Sequence, residues 1–233
     1  EVTTVLRLTA GYAQLANGGR KLEPTFIDRI QDRSGQTIYR ADNRICIGCQ
    51  GDPWEGQTPP SVPDERVQLA DAASVYQMVH ILEGVVQNGT GRSVRVIGKP
   101  LAGKTGTSND AMDAWFLGFA PDLAVGVFVG FDEPRTLGPR ETGSSVAAPI
   151  FREFMGPALE GKPAKPFRVP PGVSLVRVEH DTGRPAQPGD AHVILEAFRA
   201  GTSPSTQATV MGRPEEMDIG EDVPNQPNAG GLY

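Results

Sequence analysis

Apolar residues near the start of the chain recur at helical spacing. Val5, Leu8, Tyr12 and Leu15 fall three or four apart and Gly18-Gly19 supplies a stop, so a helix is expected over 3–17. The pattern then shortens to a period of two in "PTFIDRIQDRSGQTIYRA". Phe26, Asp28 and Ile30 share one strand face, Ser34-Gly35 sits at a turn, and Thr37-Ile38-Tyr39 returns as a hairpin. Residues 43–64, with Pro53, Pro59, Pro60 and Pro63, read as irregular. From about Asp64 the helical period resumes: Leu69, Ala72, Ala73, Tyr76, Val79, His80 and Leu82 mark one broad face that ends near "QNGTG". His80 lies on that face and is expected to be a packed, hydrogen-bonded histidine. Three strand-like stretches come next, Leu101–Thr107, Ala114–Phe119 and Leu123–Phe131, the last two joined by "APDL". "SSVAAPIFREFMGPAL" predicts a helix entered through Gly143-Ser144-Ser145, and "VSLVRVEH" one more strand after a linker-like "GKPAKPFRVPPG". Residues 201–233 carry one arginine against five acids among many prolines and glycines, the composition of a solvated, disordered tail.

Charge narrows the partners. With 22 basic and 28 acidic residues among 233, the net charge is −6, which gives no electrostatic reason to expect nucleic acid. No apolar run approaches the roughly 20 residues needed to cross a bilayer, and the first residues already form a working amphipathic segment. The chain therefore reads as part of something longer. Cys46 and Cys49 in "RICIGCQ" fit a tight loop disulfide, two free thiols or half of a zinc site. His80, His180 and His192 form no ligand-like cluster around them, and the pair leads into loop rather than helix, which disfavours redox catalysis. Neither metal nor cofactor is expected.

The stretch "GKPLAGKTGTSN" at 98–109 carries two chemistries in the same letters. Gly98, Gly103, Lys104 and Thr105 satisfy the phosphate loop G-x-x-x-x-G-K-[ST], whose backbone N–H groups need a helix starting near the lysine. After Lys104 the chain runs Thr-Gly-Thr-Ser-Asn-Asp and then enters "AWFLGFA", which predicts a strand, although "SVRVI" ahead of it could be the strand that a phosphate loop requires. Lys104-Thr105-Gly106 is also the K-T-G element of serine acyl-transferases. That chemistry wants an edge strand to which a peptide substrate can add itself, with Gly106 leaving room for the incoming backbone. Lys104 would meet a carboxylate, and Thr105 and Thr107 would offer it hydroxyls.

The flanks of that element carry a resemblance. "GKTGTSNDAMDAWFLGFAPDLAVGVFVGFDEP", "AAPIFREFM", "LRLTAGYAQLANGGRKLEPTFIDRIQDRSGQTIY" and "MVHILEGVVQNGTGRSV" resemble the transpeptidase domain of class A penicillin-binding proteins, the bifunctional enzymes that polymerise and cross-link peptidoglycan. The similarity spans roughly 1–200. It implies an α+β, α/β/α layered fold of the β-lactamase/transpeptidase type, an antiparallel sheet with helices on both faces, of which only the C-terminal portion lies in this chain. The implied organisation is 1–160 transpeptidase, 161–200 C-terminal extension and 201–233 acidic tail. The resemblance also implies a D-Ala-D-Ala stem peptide and β-lactams as partners, with Lys104 catalytic and Thr105, Gly106 and Thr107 binding substrate. It places the protein in the periplasm, anchored to the inner membrane by a preceding segment. A glycosyltransferase domain is implied upstream, and an oxidising periplasm would permit the Cys46–Cys49 disulfide.

One departure bears on mechanism. The family's nucleophile lies in S-x-x-K and a second motif is S-x-N, yet none of the ten serines of this chain has Lys three residues on or Asn two residues on. The third motif is present without the first two, so the isolated chain is expected to be inactive and the remaining part of the same protein is its implied partner. Ser144 also stands where the family commonly has the second glycine of "TGG". Two other readings are a non-catalytic module that binds cell-wall peptide through an exposed edge strand and part of a related D,D-carboxypeptidase or β-lactamase.

Overall fold

Thr4 opens the first helix: its hydroxyl accepts from the Arg7 N–H at 3.2 Å, and α1 runs Val5–Ala16. Asn17 closes it, and Gly18 and Gly19 carry the chain away at positive φ. The computed structural model describes residues 3–46, 49 and 62–204. The expected hairpin forms as β1 (Arg29–Gln31) and β2 (Thr37–Arg40), antiparallel, with Ile30 opposite Tyr39. Its turn is held by the Asp32 carboxylate, which accepts from the Ser34 and Gln36 N–H groups at 2.8 and 2.9 Å. Every residue of the two strands is exposed.

The second helix starts later than its apolar pattern suggests. Asp71 caps α2 (Ala72–Gln87), accepting from the Ser74 N–H at 2.9 Å, and Leu69 lies ahead of the helix with its N–H donated to Gly19 O. A good cap outweighs one apolar residue that falls on the helical period by coincidence. Val75, Tyr76, Val79, Leu82 and Val86 are the buried stripe of α2. His80 is half-buried, its ring stacked on Tyr76 and its Nδ1 3.6 Å from the Glu83 carboxylate. "SVRVI" is not a strand. Residues Arg92–Ile97 wind as a 3₁₀ helix that buries Val94 and ends at Gly98 with φ 69°. A valine two residues on, Val96, is left exposed, so the alternation had no sheet face to serve.

The centre of the molecule is one antiparallel sheet, β3 (Ala102–Thr107), β4 (Ala114–Ala120) and β5 (Leu123–Val129), in the order β3-β4-β5. The period of two sends Phe116, Ala120 and Val127 to one face, where they pack with Phe151, Met155 and Leu159 of α3 (Ala148–Leu159). Leu117 and Phe119 point to the other face, where α1 and α2 lie; Phe119 packs with Val75, Val79 and Leu82, and Tyr12 and Leu15 cover it. Helices therefore cover both faces of an antiparallel sheet, the α+β transpeptidase arrangement expected from the sequence. Gly126 makes the approach of α1 possible, because a Cβ there would collide with Thr9. A wide turn over Gly143–Ala147 leads into α3, capped by Thr142, whose hydroxyl accepts from the Ser145 N–H while Ser145 Oγ accepts from the Thr142 N–H.

Towards the C-terminus β6 (Val173–Glu179) pairs with β7 (Val193–Arg199) in a separate two-stranded sheet. The β7 segment opens on the apolar run Val193-Ile194-Leu195, which Glu196 breaks, and so short a run does not separate strand from helix in the sequence. The described residues group into two compact units, 3–174 with 197–201, and 175–196 with 202–204. The tail expected over 201–233 lies, from 205 onward, outside the described residues. Cys46 and Cys49 form a disulfide, with Cα atoms 5.5 Å apart, which selects one of the alternatives open from the sequence.

Candidate active site along the edge strand

Among the described residues β3 pairs on one side only, with β4, so its other edge presents unpaired backbone groups. The register sets each side chain of "KTGT". Lys104 and Gly106 stand opposite Leu117 and Trp115 on the face of α1, while Thr105 and Thr107 stand opposite Phe116 and Ala114 on the other face. The strand thus offers a cation on one side of its free edge and two hydroxyls on the other.

Lys104 is exposed, and its Nζ donates to Thr105 O at 2.9 Å. It borders a cavity of about 350 Å³ walled by Leu8 and Tyr12 of α1 and by Gly106, Trp115 and Leu117 of the sheet. Burial raises the pKa of the Tyr12 phenol above its ordinary value. Trp115 packs against Phe128 with ring centroids 4.6 Å apart, which fixes the cavity floor.

Both threonine hydroxyls are held. Thr105 Oγ1 lies 2.7 Å from Thr90 Oγ1, and Thr107 Oγ1 accepts from the Gly143 N–H at 3.1 Å. Gly143 comes down directly on the strand: a Cβ would stand 2.6 Å from Gly106 O and 3.0 Å from Gly106 N. Only glycine fits there, which gives the glycine of the 142–144 turn a steric reason. Past Thr107 the chain turns sharply. Ser108 and Asp113 bridge the turn with two hydrogen bonds, and Asp110 and Ala111 take φ 57° and 51°, uncommon for residues with a Cβ.

Lys104 therefore sits in the middle of a strand that continues to Thr107, followed only by the kinked three-residue 3₁₀ turn Asn109–Ala111 and no α-helix, contrary to the requirement of a phosphate loop. The structure brings Lys104, Thr105, Gly106 and Thr107 together along one edge. It adds two residues that the sequence does not single out as site residues, Thr90 and Gly143. "QNGTG" reads as a helix stop, and the polar role of its threonine has no local signal. Among the described residues no group of three or more His, Cys, Asp or Glu is placed to hold a metal ion.

Residues 2–156 match the penicillin binding protein transpeptidase domain. The chain belongs to this family. It is 45% identical over 199 residues to penicillin-binding protein 1A of Rickettsia prowazekii, covering 84% of this chain and 25% of that protein. It is 35% identical to penicillin-binding protein 1A of Pseudomonas aeruginosa, over 86% of this chain and 28% of the relative. Its fold is similar to the crystal structure of penicillin-binding protein 1A from Haemophilus influenzae, with a TM-score of 0.72 and 28% identity, over 90% of this chain and 33% of that one. The chain thus spans about a quarter of the length of the curated relatives it matches.

Proposed function

We propose that this chain is the C-terminal part of a peptidoglycan D,D-transpeptidase and supplies its substrate-binding edge strand. The observation that carries the reading is the placement of Lys104, Thr105 and Thr107 around the unpaired edge of β3 in a transpeptidase fold. A stem peptide ending in D-Ala-D-Ala adds to β3 as a further strand, and Gly106 lets the two backbones close. The hydroxyls of Thr105 and Thr107 donate to its terminal carboxylate, and the Lys104 ammonium supports that charge and poises the nucleophile.

The nucleophile is a serine in the part of the protein that precedes these residues. Its Oγ forms a bond to the penultimate carbonyl carbon while the proton passes to the departing D-Ala amine as the C–N bond breaks. The N–H of Thr107 helps hold the oxyanion. An amine of a neighbouring stem peptide then attacks the ester, and the proton it sheds returns to the serine. β-Lactams take the first half of the same path. The whole protein would also carry a glycosyltransferase domain and a membrane anchor ahead of this chain, with the cross-linking unit in the periplasm. Among the described residues no helix is long and apolar enough to cross a membrane.

Labelling by fluorescent penicillin tests the reading in the longer protein that carries the serine. Lys104→Ala should slow labelling by about a hundredfold or more, in the range seen when a preorganised electrostatic group is removed. Labelling at the parental rate would instead favour a cell-wall binding module in which β3 is only an exposed edge.

A further inference from the structure

Thr90 is the nearest outside group to the carboxylate-binding hydroxyls, and three observations fix its place. Its Oγ1 stands 2.7 Å from Thr105 Oγ1, across 15 residues of sequence. Its turn is tied to the end of α2 from both sides, because the N–H groups of Gly89 and Gly91 donate to Val85 O at 3.1 and 3.0 Å. The two glycines are pressed against that helix: a Cβ on Gly89 would lie 2.9 Å from Val85 Cα, and one on Gly91 3.2 Å from Val85 O and 3.3 Å from the Phe116 ring. Phe116 is in turn the fully buried partner of Thr105 in the sheet register. The turn carrying Thr90 and the strand carrying Thr105 are therefore braced on the same aromatic ring.

A hydroxyl has one proton and two lone pairs. When Thr105 donates its proton to a substrate carboxylate, its oxygen can still accept, and Thr90 is the donor within reach. We infer that Thr90 is a positioning residue for carboxylate recognition: it donates to Thr105 Oγ1 and so turns the Thr105 proton toward the substrate. The two hydroxyls form a short chain that ends on the anion, and each bond in such a chain polarises the next. Thr107 is oriented separately by the Gly143 N–H. This inference rests on the proposed transpeptidase function, and its test separates the two.

The experiment uses the longer protein with its serine and compares acylation by benzylpenicillin and by its methyl ester, which lacks the anion. Thr90→Val should lower the ratio of free-acid to ester acylation rates about fivefold, the scale of one hydrogen bond of modest net worth. Thr90→Ser should restore the ratio. Should Thr90→Val fail to fold, Thr90→Ala carries the same prediction. An unchanged ratio, or equal slowing of acid and ester, overturns the inference, since a merely structural residue would affect both alike. Thr105→Val is the control. If it also leaves the ratio unchanged, the carboxylate role of β3 itself fails; if it lowers the ratio and the Thr90 variants do not, only the role of Thr90 fails.

Discussion

Thr107 shows how much of the site is decided by single hydrogen bonds. Its oxygen accepts from the Gly143 N–H, which leaves its proton free to donate, under the proposed function to the substrate carboxylate. Thr107→Val would remove that donor and leave the Gly143 N–H, which sits hard against the strand, without its acceptor. Penicillin acylation should fall by about tenfold or more in Thr107→Val and be largely kept in Thr107→Ser, measured by stopped-flow on the longer protein. A second prediction concerns the β6–β7 sheet, where His180 Nδ1 lies 2.9 Å from the Asp181 carboxylate. That hydrogen bond, and the charge behind it, raise the His180 pKa above its ordinary 6.5 and lower that of Asp181. The stabilisation is fully present below the unfolded value and is lost as pH rises through the raised one. An NMR titration should place His180 above 6.5, and Asp181→Asn should bring it down. At this scale "KTGT" was legible because its residues are contiguous. Thr90 and Gly143 were not, since they reach the motif from 15 and 36 residues away.

Elements obey local patterns except where a partner decides. The three sheet strands were legible because an apolar run bounded by turns leaves little choice, whereas the caps Thr4 and Asp71 that set the two helix starts emerge only in the structure. Leu69 misled because periodicity cannot distinguish a helical residue from an exposed one that falls on the same period. "SVRVI" misled because alternation also arises where no sheet is near. β7 was missed because Glu196 breaks its apolar run after three residues, too short a run for periodicity to tell a strand from a helical turn. Packing at this scale makes a paired prediction about glycines. On β5, Gly126→Val would drive a side chain into Thr9 and lift α1 from the sheet, with a loss of about 2 kcal/mol or more. On α2, a Cβ at Gly84 meets nothing within 4 Å, so Gly84→Ala should gain about 0.5–1 kcal/mol from helix propensity. Thermal unfolding of the two variants should move in opposite directions.

The larger of the two compact units is built around a sheet whose β3 edge is free, and under the proposed function the nucleophilic serine lies outside residues 1–233. Residues 1–233 contain no S-x-x-K, so the isolated chain should form no covalent adduct with fluorescent penicillin, read as an unlabelled band on a denaturing gel. The absent S-x-x-K and S-x-N are the sequence signal behind that prediction, and the chain spans 25–28% of the length of the penicillin-binding protein 1A relatives. What the sequence could not give is the division of the edge, with Lys104 toward α1 and the threonines away from it, because a strand's faces are assigned only by what packs on each. The central claim is that β3 holds the substrate carboxylate. A crystal structure of the longer protein acylated by penicillin tests it most directly. The drug's carboxylate should lie within about 3 Å of both Thr105 Oγ1 and Thr107 Oγ1, with its amide side chain paired along the free edge of β3. A carboxylate bound elsewhere, with β3 left unpaired, would contradict the account.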